Sequence, residues 1–124
     1  MSQNASKGTV VLVVEDDEVV RMGIMDELAE HGLAPLGARG ADEALAVLQS
    51  GAPLALLVTD IGLPEMDGHE LAERARAVWP DLKVLFLTGY PVDKAQAGPG
   101  MRIIEKPIEL RVLASIARSL IDED

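Results

Sequence analysis

The sequence predicts an α/β fold: a five-stranded, parallel, doubly wound sheet with helices on both faces. Three observations carry this. Apolar, β-branched runs without polar alternation recur, as expected of strands covered on both sides. Segments with apolar residues at i, i+3, i+4 and i+7 lie between them. The two patterns alternate as β-α-β-α-β-α-β-(short α)-β-α, and right-handed crossovers close such a chain into one parallel sheet.

The elements follow in order. Thr9 to Val14 is the first strand. Glu18 to about His31 is the first helix, carrying Val20, Ile24 and Leu28, with Gly32 just past its C-cap. Leu33 to Ala38 is a weaker second strand. Ala41, Ala44, Leu45 and Leu48 mark the second helix, and Leu54 to Thr59 the third strand. Gly68, Leu71, Ala72 and Ala75, extended by Val78, mark the third helix. Pro53 and Pro80 stand where a helix must give way to a strand. Val84 to Leu87 is the fourth strand and Met101 to Ile104 a weaker fifth. Leu113, Ile116, Ala117 and Leu120 mark the last helix. Pro91, Gly98, Pro99 and Gly100 leave only Val92 to Ala97 for a short or mobile fourth helix.

With 124 residues, one domain is the default. The chain is 48% hydrophobic but holds only three aromatics, Trp79, Phe86 and Tyr90, so its core must be aliphatic. Eleven Lys+Arg against 21 Asp+Glu give a formal charge of −10. That balance argues against autonomous binding to nucleic acid or an anionic membrane, and suits a cation or a basic partner surface. Cysteine is absent, which excludes a disulfide scaffold, a thiolate metal site and a cysteine nucleophile. Residues 1–8 read as a polar extension rather than a secretory leader, and 122–124 as an acidic tail. No apolar run approaches the ~20 residues of a membrane span. A cytoplasmic location is expected.

In open α/β sheets, sites form beyond the carboxyl ends of the strands. Glu15-Asp16-Asp17-Glu18 follows strand one, Asp60 ends strand three, Thr88 ends strand four, and Lys106 follows strand five. Each has an ordinary reading: helix N-terminal charge, turn chemistry, β-propensity, a loop boundary. Their joint placement at four strand ends points to more. Clustered carboxylates raise one another's pKa unless a cation neutralises them, and Mg²⁺ suits one or two carboxylates plus phosphate oxygens. A carboxylate can act as nucleophile toward a phosphoryl group, while a lysine and a hydroxyl share the charge on its oxygens.

These residues resemble the response-regulator receiver domain of two-component signalling. The resemblance rests on Val13-Val14-Glu15-Asp16-Asp17-Glu18, on Asp60-Ile61-Gly62-Leu63-Pro64-Glu65-Met66-Asp67-Gly68, on Leu87-Thr88-Gly89 and on Glu105-Lys106-Pro107. It spans about residues 9–121 and implies a flavodoxin-like strand order 2-1-3-4-5. It further implies that Asp60 is the phosphoacceptor. Mg²⁺ would be held directly by Asp16 and Asp60, through water by Glu15, and by the Gly62 backbone carbonyl. The resemblance makes Glu15 and Asp16 the acidic pair, since Arg21 lies five residues after Asp16 as the family pattern expects, and it leaves Asp17 a flanking role. The resemblance also makes Thr88 the switch hydroxyl and Lys106 the lysine that contacts phosphate. Pro64 and Gly68 shape the loop and the start of the next helix. A cis Lys106–Pro107 bond is expected.

Two departures stand out. The switch aromatic of the family, three residues before the lysine, is Ile103 here; Thr88, Tyr90 and Ile103 are the switch candidates, with capping the pocket or lining a partner surface the competing role for Tyr90. The Thr88–Lys106 segment is also shorter than in most receivers. Phe86-Leu87-Thr88-Gly89-Tyr90 resembles stand-alone receivers and those of hybrid histidine kinases.

The resemblance implies a phosphoacceptor fed by a histidine kinase or a histidine phosphotransfer protein, signalling by protein–protein contact, with dimer formation open. Only self-catalysed phosphorylation and dephosphorylation are expected of it, not enzymatic turnover. Val20, Arg21 and Ile24 are named for the donor-facing surface, with packing the competing role for the apolar pair. The alternative is a small Mg-dependent aspartate-nucleophile phosphatase, which wants a second Asp two residues after the nucleophile; Gly62 stands there. A degenerate dimerisation module is a third class, against which the intact Asp60, Thr88 and Lys106 argue. Met22, Met25 and Met66 read as core or rim packing, Trp79 as a helix-end cover. His31 and His69 have no ligand partners in view.

Overall fold

A computed structural model describes residues 9–90 and 97–123. The strands are β1 (Val10–Val14), β2 (Ala34–Ala38), β3 (Leu56–Asp60), β4 (Lys83–Thr88) and β5 (Met101–Glu105). The helices are α1 (Glu18–Glu30), α2 (Ala41–Gln49), α3 (Gly68–Val78) and α4 (Leu110–Asp122). All neighbouring strands pair in parallel, in the order β2-β1-β3-β4-β5. The helix expected over Val92 to Ala97 lies, apart from Ala97, outside the described residues.

The unbroken apolar runs are explained by what covers them. Along β1, Val11 and Val13 join Ile24 and Leu28 of α1 and Leu113 and Ala117 of α4 on one face. Leu12 and Val14 join Ala44 and Leu48 of α2 and Leu71 and Ala75 of α3 on the other. Each residue of β1 thus enters one of two aliphatic layers, and Phe86 is the one aromatic fully buried among the described residues. Trp79 is the C-cap of α3, as the helix-end reading expected. Met25 and Met66 pack against the two layers, whereas Met22 is half exposed.

The helix ends hold the strand tips in place. Asp17 is the N-cap of α1, its Oδ1 accepting from the Val20 amide at 3.0 Å. At the other end, the Gly32 amide donates to Ala29 and the Leu33 amide to Leu28. Gly32 has φ +82°, the left-handed conformation this double closure requires. Gly68, at the start of α3, is needed for closeness instead. A Cβ there would collide with the Asp60 carbonyl oxygen and come within 2.9 Å of Ile61 Cα. Its amide donates to the Ile61 carbonyl at 2.6 Å.

Candidate functional site

Parallel pairing brings the predicted residues to one rim. Glu15 and Asp16 follow β1, Asp60 ends β3, Thr88 ends β4, and Lys106 follows β5. The Glu15 amide donates to the Ala38 carbonyl, and Arg21 Nη1 donates to the Glu15 carbonyl at 2.8 Å, so the backbone after β1 is fixed from both sides. Arg21 is therefore occupied with the site's backbone. Ile24, named with it for a partner surface, is fully buried, and Val20 packs against the same layer. The exposed apolar residues of α1 are Val19 (82%) and Met22 (52%). The correction follows from helix phase: Ile24 and Leu28, four apart, share the inward stripe.

Glu15 and Asp60 are buried, and Asp16 is exposed beside them. One carboxylate oxygen from each lies within 4.8 Å of the others, which makes them a set able to hold a metal ion. Lys106 Nζ stands between two of them, 3.1 Å from Glu15 Oε1 and 2.9 Å from Asp60 Oδ1. Toward Glu15 it makes a hydrogen bond. With Asp60 it forms an ion pair, and the buried Asp60 Oδ1 meets no donor in hydrogen-bond geometry.

The electrostatics follow. Burial, reinforced by the neighbouring Asp60, pushes the Glu15 carboxyl up to about 7, against the opposing pull of the Asp17 amide and Lys106. Burial acts to lower the Lys106 pKa, but the Asp60 and Glu15 carboxylates outweigh it and raise the net value. Three acidic groups thus face one ammonium, and one acid is driven toward its neutral form. An orphaned buried oxygen and an all-oxygen donor set fit a hard divalent cation.

A hollow of about 300 Å³ opens over this rim, lined by Asp16, Asp60, Gly62, Thr88, Tyr90 and Lys106 among others. The Thr88 hydroxyl is tied to Tyr90: it accepts from the Tyr90 amide at 3.1 Å and donates to the Tyr90 carbonyl at 3.4 Å. The Tyr90 residue itself is 79% exposed. Ile103 is not at the rim; it packs on the α2/α3 side of the sheet. The Lys106–Pro107 bond is cis. A larger hollow, about 760 Å³, lies between Trp79, Lys83 and Ile121 and holds none of these carboxylates. His31 and His69 stay apart: His69 Nδ1 lies 2.9 Å from Asp67 Oδ1 with its ring on Phe86, and His31 Nδ1 lies 2.9 Å from the Glu27 carbonyl.

One site contact was not foreseen. Glu65, in the loop after Asp60, receives the Ala41 amide of α2 at 3.3 Å. Its partner is 24 residues away, so the only local signal is Gly40, a residue without a side chain just before a helix.

The fold and rim together define a phosphoacceptor signalling domain of the two-component class. A family model for the response regulator receiver domain matches residues 11–118, and the chain belongs to that family. It is 36% identical over 109 residues to the response regulator receiver protein CpdR of Brucella abortus (strain 2308), covering 85% of this chain and 90% of CpdR. It is 32% identical over 123 residues to the sensor kinase CckA of the same organism, covering 95% of this chain but 13% of the kinase. Among solved structures, the receiver domain of the hybrid histidine kinase CckA superposes with a TM-score of 0.80 at 28% identity, covering 91% of this chain and 99% of that one. A receiver domain protein of Methanospirillum hungatei JF-1 gives 0.81 at 29% identity, covering 92% and 94%. No helix among the described residues is long and apolar enough to cross a membrane.

Proposed function

We propose that Asp60 accepts a phosphoryl group from the phosphohistidine of a histidine kinase or histidine phosphotransfer protein. An Asp60 carboxylate oxygen forms the new P–O bond as the P–N bond breaks and the imidazole leaves. The observation that carries this reading is the placement of Lys106 Nζ against Asp60 Oδ1, an oxygen with no hydrogen bond to give up. Lys106 would follow the transferred phosphoryl oxygens as a compact charge. Asp16, Asp60, Glu15 and the Gly62 carbonyl are the groups that would hold Mg²⁺, which when bound neutralises both the carboxylates and the phosphoryl oxygens.

Thr88 supplies the switch. Donation to a phosphoryl oxygen requires its hydroxyl to leave the Tyr90 carbonyl, which couples the buried reaction to the backbone of an exposed residue. Ile103, packed away from the rim, takes no part. Val19 and Met22, on the first turns of α1 next to Asp16, offer the donor an apolar contact.

Incubation with a small phosphoryl donor and Mg²⁺, followed by intact-mass analysis, tests the reading. One phosphoryl adduct is expected, absent with EDTA and absent in Asp60→Asn. An adduct that persists in Asp60→Asn overturns the site, and repeated rapid turnover of phosphate esters favours the phosphatase instead.

A further inference from the structure

The loop that follows Asp60 is tied to a helix outside its own β-α unit. Its base is closed by backbone bonds: the Gly68 amide to the Ile61 carbonyl, and an isolated bridge between Gly62 and Asp67. Its tip is held by Glu65, whose Oε1 accepts the Ala41 amide in the first turn of α2. The helix lacks a cap of its own, because the N-cap residue is Gly40 and makes no side-chain bond. Glu43, also in that turn, is committed to Arg39. A carboxylate at this position also meets the positive end of the helix dipole.

Gly40 makes the contact possible. A Cβ there would lie 2.8 and 3.0 Å from the two Glu65 carboxylate oxygens. Its φ of −171° is extended backbone that any residue adopts, so glycine is present for space and not for conformation.

We infer that Glu65 is a positioning residue: by capping α2 from the β3–α3 loop, it fixes the Gly62 carbonyl and the Asp60 carboxylate for the cation and the phosphoryl group. This rests on the reading of Asp60 as phosphoacceptor. Glu65 is not among the three acids that could share a cation at the rim. The same bond links the loop to α2, so a shift of the loop on phosphorylation reaches the start of that helix.

The test uses Glu65→Ala, Glu65→Gln, Gly40→Ala and the Glu65→Ala/Gly40→Ala pair. Three quantities are read: the Mg²⁺ dissociation constant, the rate of phosphorylation by acetyl phosphate, and hydrogen exchange of the Ala41 amide. Glu65→Ala is expected to weaken Mg²⁺ by about tenfold, the low end for partners that orient metal ligands, and to expose the Ala41 amide. Glu65→Gln keeps an acceptor oxygen and retains most of the wild-type affinity. Gly40→Ala displaces the carboxylate and reproduces Glu65→Ala, and the pair is no worse than either single change. Wild-type Mg²⁺ affinity in Glu65→Ala despite an exposed Ala41 amide reduces Glu65 to a helix cap and overturns the inference. Additive effects in the pair do the same. A wild-type protein that takes no phosphoryl group on Asp60 overturns the functional reading and this inference together.

Discussion

Lys106 Nζ lies 2.9 Å from Asp60 Oδ1, yet that buried oxygen receives no hydrogen bond. The ammonium bonds Glu15 at 3.1 Å and forms a shorter ion pair with Asp60 at 2.9 Å. One Asp60 oxygen thus stands beside a cation without a hydrogen bond to give up, which suits the nucleophilic role proposed for it.

Removing the ammonium leaves Glu15 and Asp60 without their shared cation. The Lys106 side chain is one-third exposed, so the cost falls between that of a surface and a buried pair. Lys106→Met is expected to lower stability by about 1–3 kcal/mol in EDTA, measured by urea unfolding, and to slow phosphorylation by a small donor. Unchanged stability and unchanged rate would show that the contact does no electrostatic service.

Glu15 gives a pH dependence of definite sign. Its carboxyl is raised from 4.5 to about 7 in the folded protein, so the folded state binds the proton more tightly than the unfolded chain. Its contribution to metal-free stability is full below pH 4.5 and is lost as pH rises toward 7. Glu15→Gln, a neutral isostere, is expected to match the wild type near pH 4.5 and to exceed it at pH 8, in EDTA. The ionised form is also the one that favours a cation, so Mg²⁺ affinity of the wild type rises from pH 6 to pH 8. A stability difference between the two proteins that does not vary with pH contradicts the assignment.

Gly62 in the loop after β3 and Gly68 at the start of α3 are expected to behave oppositely. Gly68→Ala drives a Cβ against the Asp60 carbonyl and Ile61 Cα, both rigid backbone, and is expected to cost about 1–3 kcal/mol and to impair phosphorylation. At Gly62 a Cβ meets nothing within 4 Å, and Gly62→Ala should change stability by less than about 0.5 kcal/mol. Thermal unfolding of the pair compares them directly; equal shifts would refute the packing argument.

The exposed pair on α1 separates donor docking from chemistry. Val19→Asp together with Met22→Glu is expected to slow phosphoryl transfer from a phosphohistidine protein several-fold while leaving the rate with acetyl phosphate unchanged. Equal loss with both donors would place the effect in the site, not the surface.

Most of this architecture is legible in the residues themselves. The two-sided burial of β1, β3 and β4 shows directly as runs without polar alternation, and residues placed at strand ends reach one rim because parallel pairing puts all carboxyl ends together. Strand starts are less legible: β3 begins at Leu56, two residues after Leu54, and β4 at Lys83, one before Val84. Helix phase is the other gap. The first helix carries Val19, Val20, Met22, Ile24 and Met25 within seven residues, and which of them face inward is settled by packing against α4 and the sheet. The Glu65 contact with Ala41 leaves only Gly40 as a local trace, since its geometry exists only once the loop before α3 meets the start of α2.

The central claim is that Asp60, among the clustered acids, carries the phosphoryl group. Borohydride reduction of the phosphorylated protein, followed by peptide mass spectrometry, reads this directly, since an acyl phosphate on aspartate is reduced to homoserine. Homoserine at position 60 alone is the expected result. Reduction at Glu15, Asp16 or any other acid, with Asp60 intact, would contradict it.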